Sequence, residues 1–205
     1  SALLRVRLDD RLIDARLEPV ALGDENRPRM GGDLDVESLT NAYRPPGRIV
    51  WSLEDALPKA LVQRVAATGP TGCASWVEKT EGDEHALDGY FRCSRDLADA
   101  IGRSADLSGG RWRSVVRVVP RPESAVRMTV SDVPCSGTLA GFAGLSDWAA
   151  TEKDASPVAI EWSTPKGPFA SVVLPNAPGW KDFSASLPAD CIGAITATLS
   201  TTRGE

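Results

Sequence analysis

Residues Gly109–Val130, GGRWRSVVRVVPRPESAVRMTV, decide the fold. The stretch reads as two strands joined by a Pro-containing turn. Trp112, Val116 and Val118 share one face of the first strand and Arg113 and Arg117 the other, the period-2 alternation of a half-buried strand. Val126, Met128 and Val130 repeat the pattern in the second. Pro120 and Pro122 cannot donate to a ladder, so the connection falls where the apolar runs break. The reading is a central strand pair with Trp112 in the core.

Downstream, Val158, Ile160 and Trp162 alternate with Glu161, Thr164-Pro165-Lys166-Gly167 turns the chain, and Phe169, Ser171 and Val173 continue it, which predicts a hairpin. Phe183–Leu187 and Ile192–Thr198 read as further strands, and Pro175–Trp180 as a loop. Cys135–Asp147, rich in Gly and small residues, reads as a long loop against the body of the domain. Upstream, Leu4, Val6 and Leu8, then Ile13, Ala15 and Leu17, alternate with charged residues across Asp9-Asp10-Arg11, the pattern of a β-hairpin. A short helix is predicted from Asp35 to Tyr43, stopped by Pro45-Pro46-Gly47. Ile49 and Trp51 begin a strand, Ser52–Pro58 is a turn or one helical turn, and Lys59–Thr68 leans towards strand. Ser94 is placed as the cap of a short helix that buries Leu97, Ala98 and Ile101 and ends at Gly102.

Many short strands with turn signals every eight to twelve residues or so mark a sandwich or barrel. The expectation is one all-β domain over residues 1–205, an antiparallel β-sandwich with one or two short helices in its connections. A jelly roll is preferred over an immunoglobulin-like order, because the connections are long and some are helical.

Composition narrows the function classes. A chain of 205 residues with 42% hydrophobic content can bury a core, and 25% charged residues with a net charge of -5 disfavour nonspecific binding to nucleic acid or anionic membrane. No apolar run approaches the roughly 20 residues of a membrane helix, and no secretory segment opens the chain, so it is expected to be soluble as given. Cys73, Cys93, Cys135 and Cys191 fit neither a zinc ribbon nor a redox pair and allow three disulfide connectivities. Buried free thiols are expected, since a chain of this size does not need staples.

The one histidine, His85, sits in the acidic run EGDEHALDG and reads as a solvated loop residue. Glu81, Asp83, Glu84 and Asp88 around it could supply oxygens to Ca²⁺, but they lack the Gly placement and terminal Glu of an EF-hand loop. The 28 acids mark no facing pair for glycoside hydrolysis. Phosphate-binding loops, dinucleotide fingerprints and the GxSxG elbow are all absent. Neither a catalytic residue nor a cofactor or metal ligand is assigned. Trp148 and Trp180 fall in predicted loops beside polar groups and are the candidate contact residues, whereas Trp112 and Trp162 read as core.

The layout resembles jelly-roll coat proteins of picorna-like viruses. The likeness lies in SLTNAYRPPGRI, a short helix running into a Pro-containing turn, in the Trp-led RWRSVVRVV followed by AVRMTV, and in a hairpin-rich final third. It departs from that family at Arg113 and Ser114, where a Gly often follows the strand Trp. The resemblance implies a subunit that buries its surfaces against neighbours in a shell and carries no catalytic residues. The leading expectation is therefore a non-catalytic, self-associating coat subunit of a virion. Its alternative is a carbohydrate-binding or accessory module of a larger extracellular or cell-surface enzyme or glycosyltransferase, with a glycan as partner.

Overall fold

The computed structural model describes residues 2–9, 49–80, 87–151, 156–189, 191 and 193–201, with residues 2–9 and 49 described in backbone alone. The second strand expected at Ile13–Leu17, the helix at Asp35–Tyr43 and the loop around His85 lie outside the described residues. Two antiparallel sheets pack face to face. The six-stranded sheet runs β12 (Gly167–Leu174), β11 (Val158–Thr164), β14 (Ala194–Thr201), β9 (Ser124–Ser131), β3 (Leu61–Ala66) and β4 (Gly69–Gly72). The eight-stranded sheet runs β13 (Gly179–Ser186), β10 (Thr138–Leu145), β1 (Ala2–Asp9), β8 (Arg111–Val118), β7 (Ile101–Ser108), β6 (Leu87–Phe91) and β5 (Val77–Glu78). Its remaining strand, β2 (Ile49–Ser52), pairs with β1.

The all-β sandwich follows from the alternation. Along β9, Ser124, Val126, Met128 and Val130 are buried while the residues between them are half-exposed, and Ile195, Ala197 and Leu199 do the same on β14. Val116, Val118, Leu139, Ala143 and Leu145 from the other sheet meet them in one core. Trp162 fills its middle, fully buried and stacked on Phe183 of β13 with ring centroids 6.0 Å apart. The β11–β12 hairpin, the strand β3 and the helical turn after β2 stand where the sequence put them. That turn is α1 (Leu53–Ala56) followed by a 3-10 turn, Leu57–Lys59, and it buries Leu53 and Leu57 over the core. The jelly-roll strand order, eight strands in two Greek keys, is not confirmed: the sheets hold eight and six strands, and β5 to β8 follow one another as a meander.

Several expectations are corrected. Although β8 and β9 form as predicted, they are not a pair, because the connection through Pro120 and Pro122 crosses from one sheet to the other. Two prolines with no N–H to give suit a crossing better than a ladder. The Gly-rich stretch read as a loop contains β10, which pairs with β1 along its whole length. Ile101 and Gly102 open β7 and do not close a helix; Gly102 is required there, since a Cβ would meet the Gly89 carbonyl oxygen and Tyr90. The helix itself is a 3-10 turn, Leu97–Asp99, capped by Asp96, whose carboxylate accepts from the Ala98 N–H at 2.9 Å. Trp112 is 58% exposed and not core. The thiols are not free either: Cys73 pairs with Cys93 and Cys135 with Cys191. Size was the wrong criterion: the first bridge ties the strand pair β3–β4 of one sheet to β6 of the other, beside a hydrogen bond from the Ala74 N–H to the Arg92 carbonyl at 2.7 Å.

One buried carboxylate reinforces that link. Asp99 accepts from Arg121 through both its Nε, at 3.0 Å, and its Nη2, and from Ser94 Oγ at 2.9 Å, with Arg64 Nη2 at 3.6 Å. Arg64, on β3, also donates to the Val119 carbonyl at 3.1 Å, so the six-stranded sheet, the sheet crossing and the turn before β7 share one ion cluster. Burial works to raise the Asp99 pKa, but the hydrogen bonds from Arg121 and Ser94 and the two positive charges outweigh it and hold the carboxyl below its ordinary range.

Candidate functional site

The β7–β8 hairpin ends in the turn Gly109-Gly110, and that tip is latched to the opposite edge of its own sheet. β8 pairs with β1 only over Val116–Val118. Its first half instead lies against β10 and β13: Val115 clusters with Phe142 and Trp180, and the Arg113 guanidinium sits 3.9 Å from the Phe142 ring centroid and 5.6 Å from that of Trp180. Phe142 and Trp180 meet edge to face at 5.2 Å. The Trp180 indole N–H donates to the Arg111 carbonyl at 3.1 Å.

The tip is held by four further hydrogen bonds. Ser108, fully buried, donates through Oγ to the Leu145 carbonyl at 2.6 Å and accepts from the Gly179 N–H at 2.8 Å. The Asp147 carboxylate receives the Gly109 N–H at 2.6 Å and the Gly110 N–H at 3.5 Å. Gly109 has φ 58 and its Cα side lies against Gly179, so a residue without Cβ is needed for both reasons. Asp147 opens the short helix α2 (Asp147–Thr151), whose first turn is closed by Ser146 Oγ accepting from the Ala149 N–H at 3.2 Å.

The latch brings three tryptophans to one end of the hairpin. Trp112 follows the turn on β8, Trp148 follows the carboxylate that holds it, and Trp180 is tied to Arg111. They differ in what they offer. Trp148 is 68% exposed and Trp112 58%, while Trp180 is half-buried, with its edge on Phe142 and its N–H spent. Of the two candidates from the sequence, Trp148 is exposed and Trp180 is the support beneath the turn; Trp180 sits on a strand, Trp148 on a helix. Trp112 was missed because its alternation points inwards. The signal that could have found it is its place two residues after the Gly109-Gly110 turn, at the turn end of the hairpin. The tip can present aromatic faces on a fixed backbone. Asp147, with both oxygens engaged, positions the turn and is not offered as a base.

Of the acidic loop residues, Asp88 is described, and its carboxylate pairs with Lys79 at 3.7 Å. No helix among the described residues is long and apolar enough to cross a membrane. The class defined by this architecture is an antiparallel β-sandwich. No family model, curated protein or solved structure matches the chain.

Proposed function

We propose that this chain is a non-catalytic, disulfide-bonded β-sandwich that binds carbohydrate through the tip of the β7–β8 hairpin. The observation that carries the reading is the exposure of Trp112 and Trp148 beside a turn fixed by Asp147 and Ser108. Indole faces held on such a backbone stack on the C–H face of a sugar ring with little ordering left to do on binding. Two disulfides support a location outside a reducing cytosol, as an accessory module of a larger extracellular or cell-surface enzyme or glycosyltransferase. The test is a glycan array. Binding is expected for the native chain and is lost in Trp112→Ala and Trp148→Ala, both remaining monomeric; an array without signal overturns the reading.

The second reading is an assembly subunit, most concretely a coat protein, and a different observation favours it. β12 is an edge of the six-stranded sheet and leaves Val173 50% exposed, a strand edge on which another copy can add. Light scattering at rising concentration decides: growth of a defined oligomer that Trp148→Ala weakens supports assembly, and a concentration-independent monomer removes it.

A further inference from the structure

We propose that a cleft between β2, α1 and the end of β9 is a second binding site, shaped for a single neutral sugar residue. Its volume is about 280 Å³, and Trp51, Asp55, Lys59, Ser131 and Asp132 line it. That lies just under the range of about 300 to 1,000 Å³ for ligand pockets and leaves room for one sugar ring. Trp51 is half-buried and packs against the core, which gives the cleft an aromatic wall that cannot swing away.

The polar groups around that wall are not spent on the protein. Asp55, Lys59 and Asp132 are exposed, and among the described residues none makes a hydrogen bond or ion pair. Two carboxylates accept from hydroxyls and the ammonium donates to a hydroxyl or ring oxygen, while their sum of one negative charge opposes an anionic ligand. The backbone at Asp132 is fixed as well. It has φ 58, the one positive φ at a non-glycine residue among the described residues. The residues on either side fix it: Ser131 is in register with Ala194, and buried Val133 donates its N–H to the Gly193 carbonyl at 3.0 Å. A short polar side chain tolerates this conformation, so the fixed backbone keeps the Asp132 carboxylate at the cleft.

The site depends on the carbohydrate reading for its ligand class alone, since none of its residues belongs to the hairpin tip. Ser114, on the same strand as Trp112, does hydrogen-bond Glu54 at 3.3 Å, which sets the cleft beside the strand that carries the tip.

The experiment is an NMR titration of the full chain with the methyl glycosides of glucose, galactose and mannose. Loss of a signal in Trp51→Phe assigns the Trp51 indole N–H. At least one glycoside is expected to shift that signal saturably, and Asp55→Asn and Asp132→Asn are each expected to weaken binding about tenfold or more, the loss that follows removal of a charged hydrogen-bond partner. Both acids are exposed, so melting temperatures are expected to stay within about 2 °C of the native chain. A Trp51 signal that no glycoside moves, one that moves equally in the double Asn variant, or one that moves only with a methylammonium probe overturns the proposal. Because Trp51 is the reporter, failure here leaves the array test of the tip untouched, and failure of the array leaves this titration to stand alone.

Discussion

The two sheets are made of similar strands yet differ in what lies on their far sides. In the six-stranded sheet the inward residues of β9, β11 and β14 are buried and the outward ones reach solvent, with Thr129 and Thr196 hydroxyls bonded at 2.9 Å across that outer face. The eight-stranded sheet buries side chains on both faces: Val115 and Val116 are neighbours on β8 and both are fully covered, and Val115, Phe142 and Trp180 form a cluster separate from the main core. A strand half in water announces itself by period 2, whereas one covered on both sides does not. The exposed tryptophans arise beside the second kind of sheet, Trp112 on β8 and Trp148 on the helix that follows β10, where β8 leaves β1 and its hairpin tip is latched to β10 and β13.

The sharpest way to break this comparison is at the centre of the regular sheet. Trp162→Ala is expected to cost about 4–5 kcal/mol in urea unfolding, the upper part of the range for a large buried aromatic. Its indole N–H has no partner among the described residues, so Trp162→Phe, which keeps most of the volume and removes the orphaned donor, is expected to cost less than half as much. If Trp162→Ala lost only about 1 kcal/mol, the regular face would not be what holds the sandwich.

Next in size is the ion cluster between the sheets. Asp99→Ala leaves Arg64 buried without its counter-charge, and a loss of about 3–4 kcal/mol is expected at neutral pH. The sign with pH follows from the lowered Asp99 pKa. The folded carboxyl holds its charge below the unfolded value of about 3.9, so its contribution is complete above that value and is lost as pH falls through the folded pKa. Native and Asp99→Ala stabilities are therefore expected to converge on acidification; a gap unchanged at about pH 2 would sink the assignment.

The Cys73–Cys93 bridge closes a sequence separation of 20 residues, and replacing both by Ser is expected to cost about 3 kcal/mol from released chain entropy. A change under about 1 kcal/mol would show that the non-covalent contacts at that end, the Asp99 cluster and the Ala74–Arg92 hydrogen bond among them, couple the layers without the bridge. Asp147→Ala acts on the irregular sheet only. It removes the acceptor for two turn N–H groups, about 1–2 kcal/mol, and hydrogen exchange at Gly109 and Gly110 is expected to speed up while β9 and β14 stay protected.

How much was legible follows the same division. β9, β11 and β14 could be read from apolar residues alternating with Thr, Ser, Glu and Arg, whereas β12 was placed with its faces reversed: Val172 and Leu174 are buried and Val173, read in line with Phe169 and Ser171, is exposed. β10, TLAGFAGL, could not: both of its faces are covered, so Leu139, Ala143 and Leu145 inside and Phe142 outside merge into an apolar run that Gly and Ala disguise as loop. β7 was hidden by Gly102, which reads as a helix stop but serves the close approach of β6. The disulfides were open to discovery only as a pairing problem, since residues 20 and 56 apart are brought together by sheet order and not by spacing. The aromatic tip was half visible: Trp148 was marked by its polar neighbours, while Trp112 was masked by a strand pattern whose burial stops short of the hairpin turn.

Trp112 gives the smallest expected stability effect and the finest test of the difference between the sheets. It lies on the same face of β8 as Val116 and Val118, both fully buried, and by alternation alone it deserves the cost of a core aromatic. Its side is 58% exposed, so truncation removes little surface that folding had taken from water, and Trp112→Ala is expected to change stability by about 0.5 kcal/mol or less. A loss of about 3 kcal/mol or more would mean that the alternation holds to the end of β8 and that the tip is core. With stability unchanged, whatever the substitution does to glycan binding or to self-association belongs to the exposed ring itself. A fluorescence quenching experiment completes the argument: acrylamide is expected to reach Trp112 and Trp148 readily and Trp162 hardly at all, and loss of the quenchable fraction in the Trp112→Ala, Trp148→Ala double variant assigns it to the tip.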